Sequence, residues 1–177
     1  MVRYRRSLVP GASYFFTVAL RDRHARVLTD HVELLRQSVH EVRSAMPFGI
    51  VAMTILPEHF HAVWTLPFDD AAYASRLSRI KARFGDLLVA SGVPVRRNRR
   101  GERLLWQRRF WEHTICDDED LRRHVDYCHY NPVKHGWALR PVDWPYSSIH
   151  RHIRLGWCTA DWAADPGDSA GGDRHEP

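Results

Sequence analysis

No stretch of the 177-residue chain stays apolar long enough to cross a bilayer, so no membrane-spanning helix is expected. The basic start, Met1 to Arg6, runs into Ser7 to Ser13 without an apolar core ahead of a cleavage site, and no secretory signal is expected. Cysteine is scarce. Cys116, Cys128 and Cys158 stand far apart with no CxxC pair, which argues against a disulfide framework and a thiolate zinc site and fits a reducing cytoplasm. Internal repeats are lacking too, and nothing marks a second domain. With 44% hydrophobic and 27% charged residues, the composition is that of a globular protein able to build one core without staples.

Acidic residues are unevenly scarce. Residues 161–177 hold five acids and one base, a net −4, which leaves residues 1–160 at +9 of the overall +5. A surplus of that size suits a polyanionic partner, because each neutralised phosphate releases condensed counterions. The expected organisation is a basic domain over 1–160 and an acidic tail over 161–177. From Ala163 onward that tail is rich in Gly, Asp and Pro and is expected to be disordered.

Periodicity gives the element order. Tyr14 to Leu20 is aromatic and β-branched, a strand pattern. Thr29 or Asp30 can cap a helix carrying Val32, Leu35, Val39 and Val42 at helical spacing, closed by Pro47. Phe48 to Leu56 and His59 to Leu66 read as two strands about a reversal at Pro57-Glu58. Tyr73 to Ala90 is a helix with Leu77, Ile80, Phe84 and Leu87 inward and Arg76, Arg79 and Arg83 available for the outer face. Val93 to Gly101 is expected to be a flexible loop, and Leu104 to Ile115 a fourth strand. Asp117 or Asp118 caps a third helix that runs to Asn131, with Pro132 as its terminator. The string β-α-β-β-α-β-α closes as an α+β fold. It predicts a split βαβ antiparallel sheet of the ferredoxin or RRM type, with helices on one face and a further helix at the C-terminal end.

His59-Phe60-His61 places two imidazoles on one face of a strand, where they can chelate one divalent ion; alone, an HxH among twelve histidines is a weak signal. Tyr127 and Asn131 are one helical turn apart and share a face, while Leu121, Val125 and Cys128 lie on another face better suited to packing. For Tyr127 alone the favoured reading is an amphipathic rim tyrosine, with Asn131 as a C-terminal cap. Together the four residues have a chemical logic. A phenol, with its pKa near ~10, attacks only an activated electrophile. A metal on two imidazoles and an amide oxygen keeps positions open for a phosphodiester. Attack by the phenol oxygen leaves a phosphotyrosine and a free 3′-hydroxyl, and rejoining needs no ATP.

The segments YRRSLVPGASYFFTVAL, PFGIVAMTILPEHFHAVWTLP, RLSRIKARF and LLWQRRFWEHTICDDEDLRRHVDYCHYNPVKHGWALRPVDWPYSSIHRHI occur here in one order. In them the chain resembles the HUH-type tyrosine transposases, specifically the group associated with repetitive extragenic palindromes (REP). LPEHFHAVWTLP and WQRRFWEH…HVDYCHYNPVKHG are the specific motifs. The resemblance implies a metal-dependent endonuclease and strand transferase acting on single-stranded DNA at hairpin-containing repeats, working in transposition or repeat processing. It makes Tyr127 the nucleophile and His59, His61 and Asn131 the ligands of Mg²⁺ or Mn²⁺. It also implies a monomer or homodimer in the cytoplasm, associated with the nucleoid when bound to DNA. Glu58, Cys128 and Trp137 depart from the residues usual in that family, none of them in the catalytic set.

Around this set, Arg96, Arg97, Arg99, Arg100, Arg103, Arg108 and Arg109 are the expected phosphate contacts. Trp106, Phe110 and Trp111 can stack bases or enter the core, with the core favoured for Phe110. Tyr130 is a DNA-contact or packing residue. His113, His124, His129 and His135 are read as surface, DNA-contact or supporting groups, with His124, one turn before Tyr127, best placed to tune the phenol. The competing readings are a domesticated DNA-binding protein without transposition, an RNA-binding module on the same sheet, and a metallophosphoesterase using activated water.

Overall fold

The computed structural model describes residues 8–163. Four strands are set by the aromatic and β-branched runs: β1 (Ser13–Ala19), β2 (Gly49–Ile55), β3 (His59–Thr65) and β4 (Trp111–Thr114). They lie in the order β2-β3-β1-β4 with every neighbouring pair antiparallel. β1 and β2 therefore flank β3 and run parallel to each other, which is the split βαβ arrangement.

Strand alternation sends two different sets of side chains to the two faces. Tyr14, Phe16 and Val18 of β1 and Phe60, Ala62 and Trp64 of β3 meet helices α2 (Val32–Ala45) and α3 (Tyr73–Ala90) in the larger core. Phe16 and Trp64 meet edge to face at 5.0 Å, both fully buried, each contributing about 2–3 kcal/mol by burial. On the opposite face Phe15, Ala52 and Val63 form a small cluster with Tyr127 and Cys128 of α4 (Asp118–Lys134). The last long helix thus covers the side of the sheet that α2 and α3 leave open.

Several expectations change. The helix before α2 is broken: Val27–Asp30 forms a short α1, Thr29 is buried inside it with its hydroxyl donating to the Arg26 carbonyl, and His31 caps α2 without a side-chain bond. Arg76 does not point to solvent. It is 1% exposed, donating to the carbonyls of Met46 and Pro47 and to the Asp70 carboxylate at 2.6 Å. Leu88, not Leu87, completes the buried face of α3. The fourth strand spans only Trp111–Thr114, because the chain before it leaves the sheet to pack Trp106 and Phe110 against the larger core.

The cap of α4 forms as expected, Asp117 accepting from the Asp120 amide at 2.8 Å. Its end does not. Pro132 lies inside the helix, which runs on to Lys134 and stops where Gly136 takes φ +70°. Trp137 and Gly136 then donate to the carbonyls of Pro132 and Val133 at 2.8 and 3.0 Å, a Schellman closure that only a left-handed residue permits.

Beyond α4 the chain makes a 3₁₀ turn, Pro141–Asp143, and a short helix α5 (Ile149–Arg154). This segment seals the outer edge of β2. Ser148 exchanges bonds with Met53, and His152 reaches the Val51 carbonyl at 2.9 Å, where the β2–β3 register shifts. His129 of α4 joins it through the Ser148 hydroxyl at 3.0 Å, and burial pushes its imidazole pKa down to about 3, so it sits there neutral. Among the described residues no helix is long and apolar enough to cross a membrane. Most of the acidic stretch 161–177, from residue 164 on, lies outside the described residues.

Candidate active site

β3 presents His59 and His61 to the α4 side, with Phe60 on the other, as alternation requires. Both imidazoles are buried, and each is held through Nδ1. His61 Nδ1 lies 2.9 Å from the Thr17 hydroxyl, its register partner on β1, and His59 Nδ1 lies 2.8 Å from Glu58 Oε1. Burial works to raise the Glu58 carboxyl, but its contacts with His59, its own backbone amide and the Arg23 charge together hold it below the ordinary range. A carboxylate accepts only, so His59 Nδ1 carries the proton. The Thr17 hydroxyl can donate to or accept from His61; in the tautomer where it accepts, both Nε2 atoms present lone pairs. Those two atoms face each other at 3.1 Å. At that distance one ring can donate to the other, or, with both lone pairs free, the two can address one cation.

α4 supplies the other wall. The ring of Tyr127 stands 5.2 Å from that of His61 and 5.7 Å from Phe15, and the ring of His135 stands 5.1 Å from that of His59. Asn131 lies one helical turn from each of Tyr127 and His135, so it is bracketed by residues that touch the two imidazoles. It is 1% exposed, and neither amide atom has a hydrogen-bond partner. A buried amide left unsatisfied costs about 1–3 kcal/mol. With the two facing imidazoles, an amide oxygen of this kind can make up an N,N,O donor set of the sort a divalent cation takes. Lys134 places its ammonium 5.2 Å from the centre of the Tyr127 ring.

Tyr127 is 3% exposed and packs in the second core, contrary to its expected rim position. Leu121 and Val125 do pack against that core, but only partly buried. His124 is buried as well. Its Nδ1 meets the Asp120 carbonyl at 2.8 Å, its ring lies 4.9 Å from Phe15, and burial lowers its pKa. Thr17, Glu58 and His135 are contributors that residue spacing does not single out. For Thr17 a signal exists, since it is the one hydroxyl within the otherwise apolar FFTVAL run, on the same strand face as Phe15.

The arginines are less uniform than their clustering suggests. Arg96, Arg97, Arg99 and Arg100 lie on a hydrogen-bonded turn within the expected loop. Arg97 and Arg103 bridge, Asn98 Oδ1 accepts from the amides of Arg100 and Glu102 at 2.9 Å, and Gly101 supplies a φ of +78°. Arg103 is tied down, pairing with Asp86 of α3 and reaching the Ala82 carbonyl, so its charge is largely spent within the fold. Arg108 and Arg109 are exposed just before β4. Trp111 lies on the α4 face beside Phe15 at 5.5 Å, and Trp106 donates its indole N–H to the Lys81 carbonyl. A separate group, His113, Cys116 and Asp120 at the start of α4, can also hold a metal ion.

No protein-family model matches the chain. Individual proteins do. It is 41% identical over 174 residues to the REP-associated tyrosine transposase of Escherichia coli K12, covering 98% of each chain. To a Haemophilus influenzae protein of the same designation, there qualified as putative, it is 42% identical over 168 residues, covering 94% of this chain and 96% of the other. A solved structure of a REP-associated tyrosine transposase bound to a REP hairpin superposes with a TM-score of 0.84 at 42% identity, over 95% of this chain and 94% of that one. Identity at this level along nearly the whole length, on the same four-stranded antiparallel sheet with its helices, places the chain in the family of REP-associated tyrosine transposases.

Proposed function

We propose that this protein is a metal-dependent endonuclease and strand transferase that cuts single-stranded DNA at hairpin-containing repeats, using Tyr127 as nucleophile. The observation that carries the reading is the convergence of the Nε2 atoms of His59 and His61, 3.1 Å apart, on the face where α4 brings Tyr127 and the unpartnered Asn131. His59, His61 and Asn131 would hold Mg²⁺ or Mn²⁺, which supplies Lewis-acid polarisation of the phosphodiester when bound.

The chain's own residues do the rest. Glu58 fixes the tautomer of His59, and Thr17 aims the ring of His61. Phe15 and His61 hold the Tyr127 ring at a set angle, which limits the approaches open to its oxygen. In the cutting step the phenol oxygen forms a bond to phosphorus and gives up its proton, while the bond from phosphorus to the 3′ oxygen breaks and that oxygen takes a proton. Lys134 keeps a cation beside the ring that must bear the phenolate charge. Attack by a 3′-hydroxyl on the phosphotyrosine reverses the balance and restores the phenol. All these groups belong to one chain, so a single copy carries a whole site. One nucleophile per site cuts one strand, which favours unpaired substrate in the cytoplasm at the nucleoid. Arg96, Arg97, Arg99, Arg100, Arg108 and Arg109 are the proposed phosphate contacts.

Incubation with labelled single-stranded hairpin DNA and Mg²⁺, read on a denaturing gel, tests the reading. A protein–DNA adduct is expected from wild type and from Tyr130→Phe, and none from Tyr127→Phe, which should still bind the DNA. An adduct in Tyr127→Phe that is missing in Tyr130→Phe contradicts it.

A further inference from the structure

Where β4 hands over to α4, a buried carboxylate gathers more donors than helix capping needs. Asp120, in the first turn of α4, accepts the Cys116 amide at 2.9 Å while its own amide is capped by Asp117, and those two bonds account for the helix end. It leaves unexplained why two imidazoles crowd the same group. His113 Nε2 lies 2.7 Å from Asp120 Oδ2, and His124 Nδ1 lies 3.1 Å from Oδ1. The His113 ring is held between Trp111, stacked at 6.0 Å, and His124, stacked at 4.6 Å. One donor atom from each of His113, Cys116 and Asp120 falls within 4.8 Å of the others.

We infer that His113, Cys116 and Asp120 form a second metal site, for a zinc-class ion, independent of the imidazole pair on β3. Tetrahedral zinc, with bonds of about 2.0–2.3 Å, sets its ligands about 3.5 Å apart. Reaching that spacing asks for His113 Nε2 and Asp120 Oδ2 to part from 2.7 Å and for a turn of Cys116, which is exposed and whose thiol makes a single weak contact with the Thr114 carbonyl at 3.5 Å. The donors are one nitrogen, one sulfur and one oxygen, a softer set than the N,N,O group of the candidate active site, so the two sites select different ions. Phe15 keeps them apart, its ring stacked on His61 at 5.5 Å and meeting His124 at 4.9 Å. Binding releases the Cys116 proton to solvent, and His113, ligating through Nε2, carries its proton on Nδ1. The absence of paired cysteines argues against thiolate zinc, but a single thiolate joined to an imidazole and a carboxylate escapes that spacing rule. An occupied site ties β4 to the first turn of the helix that bears Tyr127 and Asn131.

Addition of Co²⁺ to the full chain tests this. A thiolate-to-cobalt charge-transfer band is expected in wild type and in the His59→Ala/His61→Ala double variant, and Zn²⁺ should displace it. Cys116→Ser should lose the band while its far-ultraviolet circular dichroism stays that of wild type. Cys128 cannot substitute, since complete burial keeps its thiol protonated. No band in wild type, or a band that survives in Cys116→Ser, overturns the site; a band lost in the double variant overturns its independence. None of these readouts depends on DNA cleavage, so they stand apart from the outcome for Tyr127.

Discussion

The two faces of the sheet are built from the same strands and do opposite things. Toward α2 and α3, β1 and β3 send Tyr14, Phe16, Val18, Phe60, Ala62 and Trp64, all completely buried in apolar surroundings. Toward α4 the same two strands send Phe15, Thr17, His59, His61 and Val63, and the helix and its C-terminal cap answer with Tyr127, Asn131 and His135. The first face spends its area on stability. The second keeps two facing imidazoles and an unpartnered amide out of water, and the buried amide is a cost that stability alone does not explain. Alternation along a strand lets one sequence serve both, because a substitution on one face leaves the other set of side chains in place.

Substitutions can break this contrast. Phe16→Ala should cost the most stability, about 4 kcal/mol, as a large ring removed from the apolar face leaves a cavity. Chemical denaturation should show that loss, with Mn²⁺ affinity of the folded fraction unchanged. On the other face His61→Ala should lower Mn²⁺ affinity by about 100-fold or more, exceeding what loss of a supporting partner costs, with little change in denaturation midpoint. Equal affinity by calorimetry would remove His61 from the metal site. Asp70→Asn should cost about 2 kcal/mol on the apolar side, since it leaves the buried Arg76 guanidinium without a counter-charge while Asp70 itself is 27% exposed. That pair also sets a pH window. Arg76 holds the Asp70 carboxyl below its usual range, so its contribution is complete above about pH 4 and is lost as pH falls further. In Asp70→Asn this part of the acid dependence should vanish.

Two smaller effects sharpen the comparison. Asn131→Leu should leave stability unchanged or raise it by about 1 kcal/mol, because it removes a buried amide without partners, while Mn²⁺ binding weakens. A stability loss in that variant would mean the amide is satisfied after all. Replacing Arg96, Arg97, Arg99 and Arg100 together should flatten the dependence of log affinity on log salt by roughly 0.7 for each phosphate no longer neutralised. An unchanged slope takes this turn off the DNA path.

Much of this is legible in the order and spacing of residues alone. Strand alternation puts His59 and His61 on one face, helical spacing puts Tyr127 and Asn131 on another, and the element order gives the split βαβ sheet. What spacing does not reveal is how elements meet. Nothing in the periodicity of α4 says which side of the sheet it covers, so Tyr127 reads as a rim residue when it is 3% exposed. Pro132 reads locally as a stop, yet a proline lacks only one donor, and Gly136, four residues later, offers the better terminus. That extra turn brings Lys134 and His135 to the site. Arg76 reads as a solvent charge and Arg103 as a phosphate contact because their partners, Asp70 and Asp86, lie on neighbouring turns and elements that sequence alone does not bring together.

The central claim is that the Tyr127 oxygen becomes the covalent link to DNA. Trapping the adduct on a single-stranded hairpin with Mn²⁺, trimming the DNA with nuclease and locating the modified peptide by mass spectrometry tests it most directly. The phosphonucleotide should map to Tyr127 within the peptide spanning Val125 to Tyr130. A modification on Tyr130 or on any other residue, or cleavage with no covalent adduct at all, would contradict the account.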